Sequence, residues 1–162
     1  DLSSLTEKSL ERLGPTVRPG MSLRFLPVVA CSQNAFAMAA PERIQQVLIN
    51  LIQNSLKALE GKPTGLVRVS VGLQAHGPAR EAFISVEDDG PGIKREHMEK
   101  IFIPFFTTSP SGTGLGLPIC QKIIEAHRGR IDVVSDEGRM TRFSVVLPCA
   151  DGEDAITDAS RG

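Results

Sequence analysis

The sequence predicts an α+β fold in which a mixed or antiparallel sheet carries helices packed on one face. Most strand candidates come in hairpins, and the helices are interspersed among them without the strict strand–helix alternation of a parallel α/β fold. The chain has 162 residues, enough for one domain with its own core. We therefore expect one domain over residues 1–148, followed by a polar, acidic and disordered tail over residues 149–162.

The first half of the chain predicts two helices and short strands. Leucines at 2, 5, 10 and 13 form a helical stripe within residues 1–14, and Ser4 and Glu7 have the spacing of a capping box. Short strands are expected over 21–26 and 36–38. The clearest helix covers 41–60, with Pro41 suited to its first turn and Gly61 to its end.

The second half predicts two hairpins and two further helices. Residues 66–73 and 82–86 alternate around a Gly77-Pro78 turn and form the first hairpin. A short helix is expected over 95–101 and a longer one over 115–127, with Gly129 in the C-cap position. The last hairpin pairs 131–134 with 143–147.

Composition argues against several classes of function. A net charge of −1 gives no electrostatic reason to expect nucleic acid or an anionic membrane as a partner. No apolar run approaches the roughly 20 residues of a membrane span, and no signal peptide is evident at Asp1. The three cysteines lack a CxxC pair, which favours a reduced, cytoplasmic compartment and small packing roles for all three.

One stripe of the 41–60 helix is unusual. At about 100° per residue, Arg43, Gln46, Asn50, Asn54 and Lys57 share one narrow face. A solvated face is the simpler interpretation, but asparagine is a poor interior helix former. An Asn carbonyl is also a suitable neutral ligand for Mg²⁺, and a lysine one turn later can neutralise phosphate.

Two glycine segments indicate a nucleotide site. Asp88 precedes Gly90 and Gly92, and a second loop with glycines at 112, 114 and 116 opens a helix. A carboxylate can accept from a base amino group, and N–H groups at a helix N-terminus can cradle phosphate. The second loop lacks the strand that a Rossmann motif needs before its glycines, and Gly61-Lys62 is followed by Pro63, which excludes a P-loop.

These segments resemble, in order and spacing, the four sequence boxes of the sensor histidine kinases. Residues 50–58 resemble the N box, 88–93 the G1 box, 101–108 the F box and 112–117 the G2 box. The resemblance implies a Bergerat ATP-binding fold, an α/β sandwich with a mixed sheet and a flexible lid, as in type II topoisomerases, Hsp90 and MutL. It also implies ATP and Mg²⁺ as ligands.

The resemblance implies a role for each matching residue. Asn54 would ligate Mg²⁺, Lys57 would contact phosphate, and Asn50 stands where the ATPases of this fold place a general-base glutamate. Asp88 would accept from the adenine amino group. The other residues expected to bind nucleotide are Gly90, Gly92, Ile93, Phe105, Thr107, Thr108, Gly112, Thr113, Gly114, Leu115, Gly116, Leu117 and Thr141.

The chain departs from the family pattern at several positions. Ser109 stands where many members have lysine, Ala58 stands where many have tyrosine, and the last glycine box, 138–141, is partial. Three other functions share the fold: an ATPase, for which position 50 would be Glu or Asp, an anti-sigma-like serine kinase, and a nucleotide-sensing module without chemistry.

The resemblance also implies partners. The γ-phosphoryl would pass to a histidine on a separate dimerisation domain, and a response regulator would act downstream. His76, His97 and His127 have surroundings that favour surface or capping roles over phosphate acceptance. We expect the fragment to be a monomer in the cytoplasm, belonging to a parent that can be membrane-anchored.

Overall fold

The described residues form a five-stranded mixed sheet with helices on one face, as expected. A computed structural model describes residues 1–13, 17–27, 39–76, 79–110 and 112–149. In chain order its elements are α1 (Leu2–Leu13), β1 (Met21–Pro27), α2 (Pro41–Ala58), β2 (Gly65–His76), β3 (Ala79–Asp88), α3 (Arg95–Met98), α4 (Gly116–Ala126), β4 (Arg130–Asp136) and β5 (Met140–Pro148).

The strands lie in the order β1-β2-β3-β5-β4. Among the described strands, only the β1–β2 pair is parallel, with Met21 opposite Gly65. The β2–β3 and β4–β5 hairpins are antiparallel, and β5 also pairs with β3 so that Thr141 lies opposite Asp88. The last residues of β3 and the first of β5 therefore meet at one end of the sheet.

One face of the sheet packs against the helices and forms the core. Alternate residues of β2, β3 and β5 point into it, because successive strand side chains face opposite sides. The buried apolar residues on this side are Val67, Val69, Val71, Ala82, Ile84, Val86, Phe143, Val145 and Leu147 from the sheet, and Ile44, Val47, Leu48, Leu51, Ile52, Cys120 and Ile124 from α2 and α4.

The opposite face of the sheet carries a charged row. Glu87 lies between two arginines in the strand register and forms ion pairs with Arg68, at 2.7 Å, and with Arg142. Burial raises the pKa of Glu87, but the hydrogen bonds from both arginines outweigh burial and hold this pKa below its ordinary value. The row is polar because no helix among the described elements covers this side.

The two long helices begin and end close to their predicted limits. Pro41 occupies the first turn of α2, and the chain leaves that helix through Gly61 at φ 89°. The expected Ser4–Glu7 capping box of α1 is wrong, since that helix already begins at Leu2. Its cap is Asp1, whose carboxylate accepts the Ser3 N–H at 2.8 Å.

Other predicted elements differ in detail. The helix expected over 95–101 is a single turn, α3, followed by successive tight turns. After α4 the left-handed residue is Arg128, at φ 58°, and not Gly129 as expected. Cys149, first residue of the expected tail, still donates its N–H to the Arg80 carbonyl. The strand expected over 36–38, the Gly77-Pro78 turn and the tail beyond Cys149 lie outside the described residues.

Within the described ranges, no helix combines the length and the apolarity that crossing a bilayer would require. The longest, α2, is amphipathic: its buried residues alternate with the exposed Arg43, Gln46 and Lys57.

Candidate functional site

A cavity of about 1000 Å³ lies beside the end of the sheet where β3 and β5 meet. Its walls are the polar stripe of α2, the loop that follows β3, the β4–β5 turn, and the segment that leads into α4. This volume is at the upper end of the range typical of small-molecule sites. The two glycine segments, at 90–92 and 112–116, thus border one space.

Most of the residues expected to bind nucleotide line this cavity. They are Asn50, Asn54, Lys57, Asp88, Gly92, Ile93, Thr107, Thr108, Gly112, Thr113, Gly114, Gly116, Leu117 and Thr141. Three others, Gly90, Phe105 and Leu115, are not among its lining residues. Ser109 and Ala58, the two departures from the family pattern, also line it, and so does a second lysine, Lys94.

The neighbouring phenylalanines of the F box face opposite ways. Phe105 is 75% exposed and adopts a left-handed backbone with φ 68°, and its N–H donates to the Gly114 carbonyl at 2.9 Å. Phe106, by contrast, lines the cavity and meets the His97 ring edge-on at a centroid distance of 5.4 Å. Phe105 therefore does not line the cavity, whereas Phe106 does, and the expected contact of Phe105 with nucleotide stays a prediction.

Asp88 is the buried carboxylate of the cavity. It ends β3, only 2% of it is exposed, and its Oδ1 accepts the Gly90 N–H at 3.0 Å. Burial raises the pKa of Asp88, while the Ser55 hydroxyl and the Gly90 N–H act against this shift. Gly90 therefore serves the site through this bond to Asp88 although it does not line the space.

Ser55 adds a buried hydroxyl that the sequence did not single out. It lies on the core side of α2 next to Asp88, close enough to influence the carboxyl pKa, yet its Oγ has no formed hydrogen bond among the described residues. Buried polar groups are almost always paired. A hydroxyl and a carboxylate left facing a cavity therefore fit a ligand with polar edge atoms, as a nucleotide base has.

The β4–β5 hairpin holds the first glycine loop in place. Gly92 has φ 71°, and a Cβ there would lie 2.4 Å from the Asp136 carbonyl oxygen. The Gly138 N–H donates to the Pro91 carbonyl at 2.7 Å, and the Ile93 N–H donates to Ser135 Oγ at 2.8 Å. Like Ser55, Ser135 was not predicted from the sequence. In the sequence it is only one small polar residue near the end of a strand, and no motif marks it.

The other end of the cavity joins α2 to the N-terminus of α4. Asn54 donates its side-chain N–H to Asn50 Oδ1 at 3.3 Å, which leaves the Asn54 carbonyl oxygen available. Gly116 begins α4 against Asn50, where a Cβ would lie 2.6 Å from Asn50 Oδ1. No side chain of the described residues caps this helix, so its first N–H groups can receive an anion.

The donors at this end suit Mg²⁺ only together with a phosphate ligand. The described residues contain no group of three His, Cys, Asp or Glu side chains that could hold a metal ion. Asn54 offers one neutral oxygen, and Mg²⁺ commonly keeps several waters and phosphate oxygens beside one or two protein ligands. The residues present thus fit a metal that arrives with a nucleotide.

The two histidine side chains that the structure describes, His97 and His127, take part in packing and hydrogen bonding. His127 accepts the Ala40 N–H on Nε2 at 3.1 Å and contacts the Ile123 carbonyl through Nδ1 at 2.7 Å, which confirms its capping role. His97 lines the cavity beside Phe106.

The packing role expected for Cys120 is confirmed, because its side chain is buried. Burial also raises the pKa of the Cys120 thiol to about 12. Cys31 lies outside the described residues.

A mixed sheet, an acidic residue at the end of its central strand and a glycine-rich loop opening a helix define a nucleotide-binding α+β domain. The chain belongs to the family described as histidine kinase-, DNA gyrase B- and HSP90-like ATPases, whose model matches residues 39–151. Together with the relatives below, this family match identifies the chain as the ATP-binding catalytic domain of a histidine kinase, as the sequence boxes predicted.

Named relatives support this assignment. The sensor histidine kinase ZraS of Salmonella typhimurium is 44% identical over 110 residues, 68% of this chain and 23% of that protein. Sporulation kinase C of Bacillus subtilis is 41% identical over 106 residues, 65% of this chain and 23% of that protein. The chain therefore spans about a quarter of the length of the curated relatives it matches.

Solved structures show the same fold. The nucleotide-free catalytic domain of histidine kinase ThkA superposes with a TM-score of 0.76 at 32% identity, covering 93% of this chain and 95% of that one. Full-length ShkA in complex with AMPPNP gives a TM-score of 0.78 at 25% identity, covering 94% of this chain and 31% of that one.

Proposed function

We propose that this domain binds Mg²⁺·ATP and transfers the γ-phosphoryl group to a histidine on a separate helical domain of its parent kinase. One observation carries the choice of transfer over hydrolysis: the residue at the phosphate end of the cavity, one turn before Asn54, is Asn50. An amide cannot take a proton from water at neutral pH. Position 50 therefore supplies no general base.

The cavity has a different chemistry at each end, which supports one orientation for the nucleotide. Asp88 and Ser55 offer a carboxylate and a hydroxyl to the base. Asn50, Asn54 and the N-terminus of α4 face the triphosphate, with Lys57 to offset its charge. This arrangement positions the phosphates and neutralises charge, which are the main contributions of a protein to phosphoryl transfer.

In the proposed step an imidazole nitrogen of the partner histidine attacks the γ-phosphorus. The bond from phosphorus to the β,γ-bridging oxygen breaks, ADP leaves, and the imidazole proton passes to solvent. The nucleophile is nitrogen and needs no strong base from this chain. Asn54 would contribute one oxygen to the Mg²⁺ that the phosphates bring.

Exposed apolar side chains near the second glycine loop support docking of such a partner. Ile103 is 53% exposed, Phe105 75% and Ile119 41%. Phe105 is hydrogen-bonded to Gly114 in the loop itself. A helical domain that covered these side chains would bring its histidine close to the phosphate end.

We propose that the isolated domain is monomeric and that it works on the cytoplasmic side, where ATP is available. We also propose that a response regulator receives the phosphoryl group.

The test is phosphoryl transfer from γ-labelled ATP to the histidine-bearing domain of the parent protein. Acid-labile label on that domain, absent when its histidine is replaced by glutamine, is the expected result. Acid-stable label on a serine would favour the serine kinase instead. Phosphate release at the same rate without an acceptor would favour an ATPase, and binding without turnover would leave a nucleotide-sensing module.

A further inference from the structure

Ser135 makes three contacts through one hydroxyl group and so links the first glycine loop to β5. Its Oγ lies 2.8 Å from the Ile93 nitrogen, 3.0 Å from the Met140 carbonyl oxygen and 3.2 Å from Thr141 Oγ1. Ile93 belongs to the first glycine loop, and Thr141 lines the cavity opposite Asp88 in the strand register. No resemblance to a sequence box had assigned a role to this serine.

The number of hydrogens that each group can donate fixes the direction of the three bonds at Ser135 Oγ. A serine hydroxyl has one hydrogen to donate and two lone pairs that accept. The Ile93 N–H can only donate, so Ser135 accepts from it. The Met140 carbonyl can only accept, so it receives the single Ser135 hydrogen. The contact with Thr141 therefore requires Thr141 to donate its own hydrogen to Ser135.

The consequence lies in what Thr141 offers to a ligand. With its hydrogen directed at Ser135, Thr141 shows the cavity only acceptor lone pairs. Asp88, when ionised, is also only an acceptor. Thr141 and Asp88 together then favour a base that presents an amino group to them and disfavour one that presents a carbonyl oxygen, because two facing acceptors repel.

We propose that Ser135 is a positioning residue of the nucleotide site, which holds the loop at Ile93 and orients the Thr141 hydroxyl so that the site selects a 6-amino over a 6-oxo purine. The inference rests on the proposed nucleotide function. It goes beyond that function because it assigns part of base selection to a residue that does not line the cavity.

The experiment compares the affinities for ATP and inosine triphosphate by calorimetry in wild type, Ser135→Ala and Ser135→Thr. In Ser135→Ala the Thr141 hydrogen is free to point at the ligand. We expect ATP to bind about two- to tenfold more weakly, the effect of losing one neutral hydrogen bond. Inosine triphosphate should lose less, so the ATP preference should fall, and Ser135→Thr should restore it.

Three further measurements separate positioning from a general structural effect. Ser144→Ala removes a half-buried hydroxyl from the neighbouring strand and should leave both affinities unchanged. Thr141→Val should lower the ATP preference by itself, and adding Ser135→Ala should lower it no further. Amide hydrogen exchange should be slow at Ile93 in the wild type and faster in Ser135→Ala without nucleotide.

These measurements distinguish failure of the proposed nucleotide function from failure of the role proposed for Ser135. A wild type that binds neither nucleotide would overturn the proposed function and with it this inference. A wild type that binds ATP, combined with a folded Ser135→Ala whose ATP preference is unchanged, would overturn the inference alone. If Ser135→Ala does not fold, a rapidly exchanging Ile93 amide in the wild type would be the refuting observation.

Discussion

Replacing Asp88 by asparagine should separate nucleotide binding from stability. The carboxylate is 2% exposed and already accepts the Gly90 N–H at 3.0 Å. A carboxylate can accept from Gly90 and from a base amino group at once, because both of its oxygens are acceptors. Asparagine has one acceptor oxygen and one NH2 group. If the oxygen accepts from Gly90 N–H, the NH2 group faces the base amino group, and if the oxygen faces the base, the NH2 group faces Gly90 N–H. Either way, two donors oppose each other.

The magnitude follows from the bond that is lost. A hydrogen bond to a charged group contributes about 1.5–3 kcal/mol, so ATP should bind roughly 10- to 150-fold more weakly to Asp88→Asn. Stability should not fall in parallel. Burial raises the pKa of Asp88, which means that the folded state favours the protonated form and that the ionised group costs stability once the pH exceeds its folded pKa. A neutral amide removes that cost.

The assay is calorimetric titration with ATP beside thermal unfolding of the same samples. Asp89→Asn is the matched control: Asp89 is the neighbouring carboxylate, it is exposed, and its Oδ1 bonds to Leu66 N–H, a bond that asparagine can keep. ATP affinity should be unchanged in that variant. The reasoning is refuted if Asp88→Asn binds ATP as the wild type does, or if both substitutions weaken ATP equally.

Three further predictions concern other parts of the domain. Gly92→Ala should weaken ATP and cost more than about 1 kcal/mol of unfolding free energy, whereas Gly61→Ala, at φ 89° with open space around it, should share only the stability cost. Asn54→Ala should reduce the apparent Mg²⁺ affinity of the ATP complex by at least about tenfold, with ATP binding in chelator unchanged; equal losses with and without metal would argue against the ligand role. Glu87→Gln should make unfolding less sensitive to acid, by about 0.5–1 kcal/mol. Its lowered pKa means that the wild-type ion pairs contribute fully above the ordinary value of 4.5 and are lost as the pH falls through the folded pKa, which titration of the unfolding free energy would show.

The sequence was sufficient where the controlling interactions are local. Helix α2 was predicted from its apolar periodicity, from Pro41 and from Gly61, all of which act within a turn of the residues they affect. The hairpins were predicted from alternation in the same way. Four short segments in a fixed order were enough to predict the family, because each glycine or amide side chain has its own local requirement.

Features that depend on contacts between distant segments were not predictable in this way. The parallel pairing of β1 with β2 and the position of β5 beside β3 depend on the packing of the whole sheet. The choice of Phe106 over Phe105 as the cavity residue depends on a bond between Phe105 and the second glycine loop.

The sequence by itself determined the elements, the two glycine loops and the amide and carboxylate side chains of the site. Only the tertiary structure decided that Ser55 is a buried hydroxyl beside Asp88 and that Ser135 supports Ile93 from 42 residues away. The physical reason is that a hydroxyl has no role of its own: its bonds depend on which donors and acceptors the fold brings within about 3 Å.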